Sequence, residues 1–230
     1  GMMAWRWTQL DVATETFLEP VPVDIEDVSA KSAKVAIVLD DLGIKTSQYL
    51  LLMDIPYKLN VAIIPGLKNS RELVKELTLM NRFELLAHIP MEPFTPPTDP
   101  LVQTYPFYID RHATATTIRR ILDASMDQLD GWGFIKGINN HMGSYVTSSP
   151  NMMTPIIDWV GSHQLYLLDS LTSRSSVAYE MAHRQHVKAY HNEIFLDGVD
   201  ELDYIQDKLK KAIERARSEG NVVAISLARK

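Results

Sequence analysis

Val35-Ala36-Ile37-Val38-Leu39-Asp40-Asp41-Leu42-Gly43 is the stretch on which the fold turns. Apolar residues, β-branched at Val35, Ile37 and Val38, run without a polar break into two adjacent carboxylates, and a glycine follows. Such a run matches a strand buried on both faces of a parallel sheet. Two carboxylates at the end of a buried strand raise each other's pKa unless a cation or hydrogen-bond donors offset them. The pair therefore reads either as part of a site or as one helix cap beside one solvated side chain.

Outward from this strand, short apolar runs alternate with amphipathic ones from Lys34 onwards, the pattern of βα units and a mostly parallel sheet. A short helix is expected over 46–53 and a second strand over 59–64, stopped by Pro65-Gly66. Asn69 with Glu72 three residues on predicts a capping box for a helix to Met80. A third strand over 84–88 leads into His88-Ile89-Pro90-Met91-Glu92-Pro93. The stretch 94–112, with Pro96, Pro97, Pro100 and Pro106, is a long loop of the kind that borders a cleft.

Thr114 or Thr116 caps a helix to Leu129, and a strand near 134–138 ends in Asn139-Asn140-His141-Met142-Gly143-Ser144. Ser149-Pro150 starts a helix to Ser162 as N-cap and N1. A strand over 165–168 ends at Asp169-Ser170, and a helix near 175–184 precedes brief strands at 187–190 and 195–197. Asp200 caps a last helix stopped by Gly220, and 221–227 closes the sheet. Residues 1–33, acidic and carrying Pro20 and Pro22, read as an extended arm or linker, leaving 34–230 as a single domain.

The 230 residues are 46% hydrophobic, enough for one sizeable core. A net charge of -6 without a long basic run argues against a nucleic-acid surface and favours a neutral or cationic substrate. No window approaches the ~18 consecutive apolar residues of a membrane span. Gly1 ahead of Met2 reads as a cloning remnant, so the start of the chain decides nothing about an export signal or anchor. With no cysteine, disulfides, thiolate-bound zinc and thiol catalysis are excluded, and any metal rests on His, Asp, Glu or water.

Four strands end in polar clusters: Asp40 and Asp41, His88 and Glu92, Asn139 to His141, and Asp169. In parallel sheets and barrels the C-terminal strand ends share one face, so these residues are expected to converge. Two histidines and a carboxylate on strand ends suit Zn²⁺ or a similar divalent ion, with positions left for water and substrate. Asp41, His88 and His141 are the expected ligands, and Asp40 is then free to act as a base. Asn140 is a candidate donor to an oxyanion, and Asn139 and Ser144 candidate substrate contacts. Each residue also has a structural reading: helix caps for the aspartates, a buried ring among loop carbonyls for His88, a pinned turn for the asparagines. Their recurrence at equivalent strand ends favours a site. His112, His163, His183 and His186 read as surface residues and His191 as part of a solvated turn.

The segments 38–43, 88–93 and 139–144, with Leu168-Asp169-Ser170 and Phe195-Leu196-Asp197, resemble in order the motifs of the divergent polysaccharide deacetylase family. The resemblance runs from about Lys34 to Ile225. It implies a distorted (β/α) barrel of about seven mostly parallel strands, a divalent metal, zinc foremost, an N-acetylated sugar polymer or oligomer as substrate, and a periplasmic or other extracytoplasmic setting. By resemblance to the related NodB-type enzymes, Asp40 corresponds to the general base and Asp41 to a metal ligand. Those enzymes take both histidine ligands from one His-x-x-x-His motif, which this sequence lacks, so His88 and His141 would come from separate strands. The late Gly-His of many members is here Ser226-Leu227. Protonation of a leaving amine then falls to another group, Glu92 or Asp169, or the chain is a carbohydrate-binding or envelope-associated protein on a deacetylase scaffold.

Overall fold

The structure is a computed structural model that describes residues 33–44, 50, 52–53, 55–95, 97–98 and 102–228. The arm expected over 1–33 lies outside the described residues except for Ala33, as does most of the helix expected over 46–53.

Eight strands form one sheet: β1 (Lys34–Leu42), β2 (Leu59–Ile63), β3 (Phe83–Met91), β4 (Ile135–Met142), β5 (Tyr166–Asp169), β6 (Ala189–His191), β7 (Ile194–Phe195) and β8 (Asn221–Leu227). Their order is β6-β5-β4-β3-β2-β1-β8-β7, and every pairing is parallel. Helices α1 (Ser70–Met80), α2 (Ala115–Leu129), α3 (Pro150–Ser162), α4 (Ala178–Arg184) and α5 (Leu202–Glu219) make the crossovers.

The sheet curls. Asn192 N–H bonds Asp169 O at 2.8 Å, extending the β5–β6 ladder, while the next residue, Glu193, bonds Val223 O at 3.0 Å at the far end of the strand order. Two adjacent residues thus extend the ladders at the two ends of the strand order, so the chain itself, without β6–β7 pairing among the described residues, links the ends of a curled, distorted barrel. Among the described residues the strands number eight, one for each short run expected from the sequence, and the brief run expected over 195–197 is the two-residue edge strand β7.

Both faces of the strands are apolar, which is why β1 to β3 read as continuous hydrophobic runs. Val38, Ala62, Leu86, Leu168 and Ile225 point inward and plug the lumen. The alternate residues Val61, Ile63, Leu85, Ala87, Ile138 and Leu167 pack outward on the helices. Below the plug, at the N-terminal strand ends, lies a cavity of about 440 Å³ bordered by Lys34, Asn60, Glu84, Tyr166 and Val223. Above it, at the C-terminal ends, the inward positions are polar.

Two local expectations are corrected. Asn69 stands at the N-cap of α1, but its side chain makes no cap bond and donates instead to Ile44 O at 3.4 Å, so the capping box does not form. Glu201 rather than Asp200 is the N-cap of α5. β3 also runs on through Pro90, a residue foreign to a central strand. Pairing with β2 stops at Ala87, and beyond it Pro90 O accepts from the loop residue Ile109 at 2.9 Å. N–H and C=O of one strand residue face the same side, so the N–H that proline lacks points where no neighbouring strand remains.

Gly43 turns the chain out of β1 at φ +107, and a Cβ there would strike Ser70 Oγ. Gly43→Ala is expected to lower stability by about 2–3 kcal/mol in urea unfolding, strain and contact together. Gly133→Ala has a similar φ of +86 but nothing within 4 Å, and should lose about 1 kcal/mol. Equal losses would show that the Ser70 contact adds nothing.

Candidate metal centre

A regular strand sends successive side chains to opposite faces, so adjacent carboxylates cannot both face the lumen. β1 escapes this rule at its end. Asp41 adopts φ 65, in the left-handed region that Asp tolerates better than most residues, and the β1–β2 register slips between Leu39 and Leu42. This bulge brings both Asp40 and Asp41 to His88, and Asp41 to His141 as well.

His88 on β3 and His141 on β4 reach Asp41 from neighbouring strands. Asp41 Oδ1 lies 2.8 Å from His141 Nδ1 and 3.1 Å from His88 Nε2, and the three atoms all fall within 4.8 Å of one another. Two imidazole nitrogens and one carboxylate oxygen at this spacing fit a single divalent ion bonded at about 2.0–2.2 Å. Asp41 is partly exposed and His88 buried, so the set opens to one side. Asp40 stands behind, with Oδ2 3.7 Å from His88 Nε2.

Asn139 binds this arrangement together. It pairs with His88 in the β3–β4 register, and its Oδ1 lies 2.9 Å from His88 Nδ1. Its Nδ2 donates to Asp40 Oδ1 at 3.0 Å and to Ser170 Oγ at 3.2 Å. An amide oxygen only accepts, so His88 must carry hydrogen on Nδ1 and turn Nε2 to Asp41.

The electrostatics follow from burial and pairing. Burial pushes Asp40 up to about 6, against the opposing pull of His88 and the Asn139 hydrogen bond. Burial acts on Asp41 in the same sense, but hydrogen bonds from His141 and His88 override it and hold that carboxyl well below the usual range. Burial disfavours charge on His88, yet Asp40 and Asp41 prevail and raise it above 6.5. His141 is lowered, first by burial and then by the charge of His88, although Asp41 works against both.

The remaining expected residues are placed differently. Asn140 and Asp169 fall on outward positions of β4 and β5. Asn140 accepts from Ser170 N–H at 2.9 Å and donates to Met142 O at 2.6 Å, pinning the strand end where Met142 turns at φ 56. Asp169 accepts from Leu171 N–H at 2.9 Å and Ser176 Oγ at 2.6 Å. Glu92 accepts from the Arg111 backbone at 2.6 Å and pairs with its guanidinium. Ser144 Oγ accepts from Phe94 N–H at 3.0 Å. These four side chains fasten the loops around the centre rather than joining Asp40 and Asp41.

Sequence reading gave no site role to three contributors. Asp197, buried, accepts from Leu227 N–H at 2.8 Å, and its charge adds to the rise of Asp40. Ser170 supports Asn139. Tyr105, from the proline-rich loop, meets His141 Nε2 at 3.2 Å. The Phe-Leu-Asp motif marked Asp197, but no periodic signal singles out Tyr105. The β1–β8 register sets Leu227 opposite Asp40, so the end of β8 brings an aliphatic side chain to this level of the sheet.

An ion bound at His88 Nε2 must displace a proton, because that ring is held protonated by its two aspartates. Affinity for a divalent ion should therefore rise by about tenfold per pH unit below the raised His88 pKa and level off above it. Calorimetry at pH 6 in buffers of different ionisation heat should find about one proton released per ion. Identical heats in all buffers would contradict the assignment.

Comparison with known proteins gives the family and relatives of the same fold. An uncharacterized protein of Haemophilus influenzae is 33% identical over 202 residues, covering 86% of this chain and 67% of its own. The uncharacterized protein YibQ of Escherichia coli is 29% identical over 194 residues, covering 84% of this chain and 58% of its own length, so the chain spans only part of these curated relatives. The crystal structure of an uncharacterized protein from Agrobacterium tumefaciens superposes with a TM-score of 0.78 at 21% identity, covering 89% of this chain and 81% of that one, a likeness of fold. The family model described as divergent polysaccharide deacetylase matches residues 37–230, and the chain belongs to that family.

Proposed function

We propose that this chain is a metal-dependent hydrolase that removes acetyl groups from N-acetylated sugars outside the cytoplasm. The observation that carries the reading is the bulge at Asp40 and Asp41, which sets a three-ligand group beside a separate buried carboxylate. A divalent ion held by Asp41, His88 and His141, zinc by the chemistry of the donors, would supply an acidified water and a Lewis acid for the acetyl carbonyl.

Asp40 takes the proton of the attacking water, and Asn139 holds the carboxylate in place for it. As the carbon–nitrogen bond breaks, the amine needs a proton. Glu92 and Asp169 are engaged in the loops, and Leu227 has no proton to give. Asp40 therefore returns the proton that it took, a double role suited to a carboxyl lifted to about 6.

The Leu227 position also favours a second reading, a saccharide-binding protein on a deacetylase scaffold. Acetate release from N-acetylated oligosaccharides by ion-loaded protein separates the two. The hydrolase releases acetate, and Asp40→Asn keeps the ion while turnover falls by about 10²–10⁴. Binding of the oligosaccharide without release of acetate would establish the second reading, and full activity in Asp40→Asn would remove Asp40 from its role.

A further inference from the structure

The two histidine ligands are supported from behind by chemically different groups. Asn139 Oδ1, behind His88, only accepts a hydrogen bond. The Tyr105 hydroxyl, behind His141, both donates and accepts. This difference matters because the rings face Asp41 through different nitrogens, Nε2 for His88 and Nδ1 for His141.

Without an ion, Asp41 can only accept, so neutral His141 carries its hydrogen on Nδ1 and presents a lone pair at Nε2. Tyr105 then donates to it. With an ion on Nδ1, the hydrogen moves to Nε2, and the same hydroxyl must accept. A group restricted to one role would oppose one of the two states.

Tyr105 is fixed well enough to hold a ring. It is 7% exposed and packs with Ile64, Val102, Leu67, Tyr108 and Met142. Its ring meets that of His141 edge-on, at 5.4 Å and 83°. The segment beyond it is tied to the strand end through Ile109, bonded to Pro90 O and Glu92 N–H at 2.9 Å each.

We infer that Tyr105 is a positioning residue that lets His141 exchange tautomers as an ion binds, so that Tyr105 forms part of the metal centre. The inference rests on Asp41, His88 and His141 taking a divalent ion.

Zn²⁺ affinity by chelator competition, together with ¹⁵N-histidine spectra of the ring nitrogens, tests it. In the wild type the His141 hydrogen should move from Nδ1 to Nε2 on adding Zn²⁺. Tyr105→Phe keeps the ring packing and should weaken Zn²⁺ binding about 10–100-fold, with the ion-free protein still cooperatively folded and its melting temperature lowered only by the loss of one hydrogen bond. Tyr108→Phe, in the same cluster but away from the ligands, should bind Zn²⁺ as the wild type does. No tautomer change in the wild type, a Tyr105→Phe affinity within twofold of it, or an equal loss in Tyr108→Phe would overturn the role of Tyr105. A wild type that binds no Zn²⁺ would overturn the metal centre itself.

Discussion

The left-handed backbone of Asp41 is the constraint on which the rest of the centre depends. A strand that kept its alternation would send one carboxylate into the lumen and the other among the helices, where a buried charge without a partner is costly. The bulge turns both to one side, and the two aspartates then divide their roles by surroundings. Asp41, between two imidazoles, stays ionised; Asp40, deeper and with weaker compensation, is lifted to about 6. Like neighbours with pKa values pushed apart are the arrangement expected where one carboxylate binds and the other moves protons.

Around this bulge the barrel supplies rigidity. His88 and Asn139 are cross-strand partners, so one amide fixes both the tautomer of a ligand and the position of the base. Asn140, Asp169, Glu92 and Ser144 hold the strand ends and loops that shape the opening. The centre sits above an apolar plug of inward side chains, at the end of the barrel opposite the cavity near Lys34 and Glu84.

Much of this was legible in the sequence because burial on both faces leaves uninterrupted apolar runs. Parallel strands then place the polar residues that end those runs on one face. The convergence of Asp40, Asp41, His88 and His141 follows from those two facts, and the choice of ligands among them came from the chemistry of imidazole and carboxylate donors. The failures have equally local causes. Asn140 and Asp169 are polar and sit at strand ends, but a shift of one residue puts them on the outer face, and polarity does not encode that parity. The capping pattern at Asn69 was sound, yet the amide found a tertiary acceptor in Ile44. β3 and β4 extend past their apolar runs because the upper lumen is lined by the centre itself. The link through Asn192 and Glu193 and the approach of Tyr105 both depend on contacts between segments distant in the chain, which no window of sequence contains.

The central claim is that Asp41, His88 and His141 together hold one divalent ion. Elemental analysis of the purified protein, with His88→Ala and His141→Ala alongside, tests it most directly. About one ion per chain, lost in both variants, is the predicted result. No ion in the wild type, or the same content in all three proteins, would contradict the account and return both histidines to structural roles.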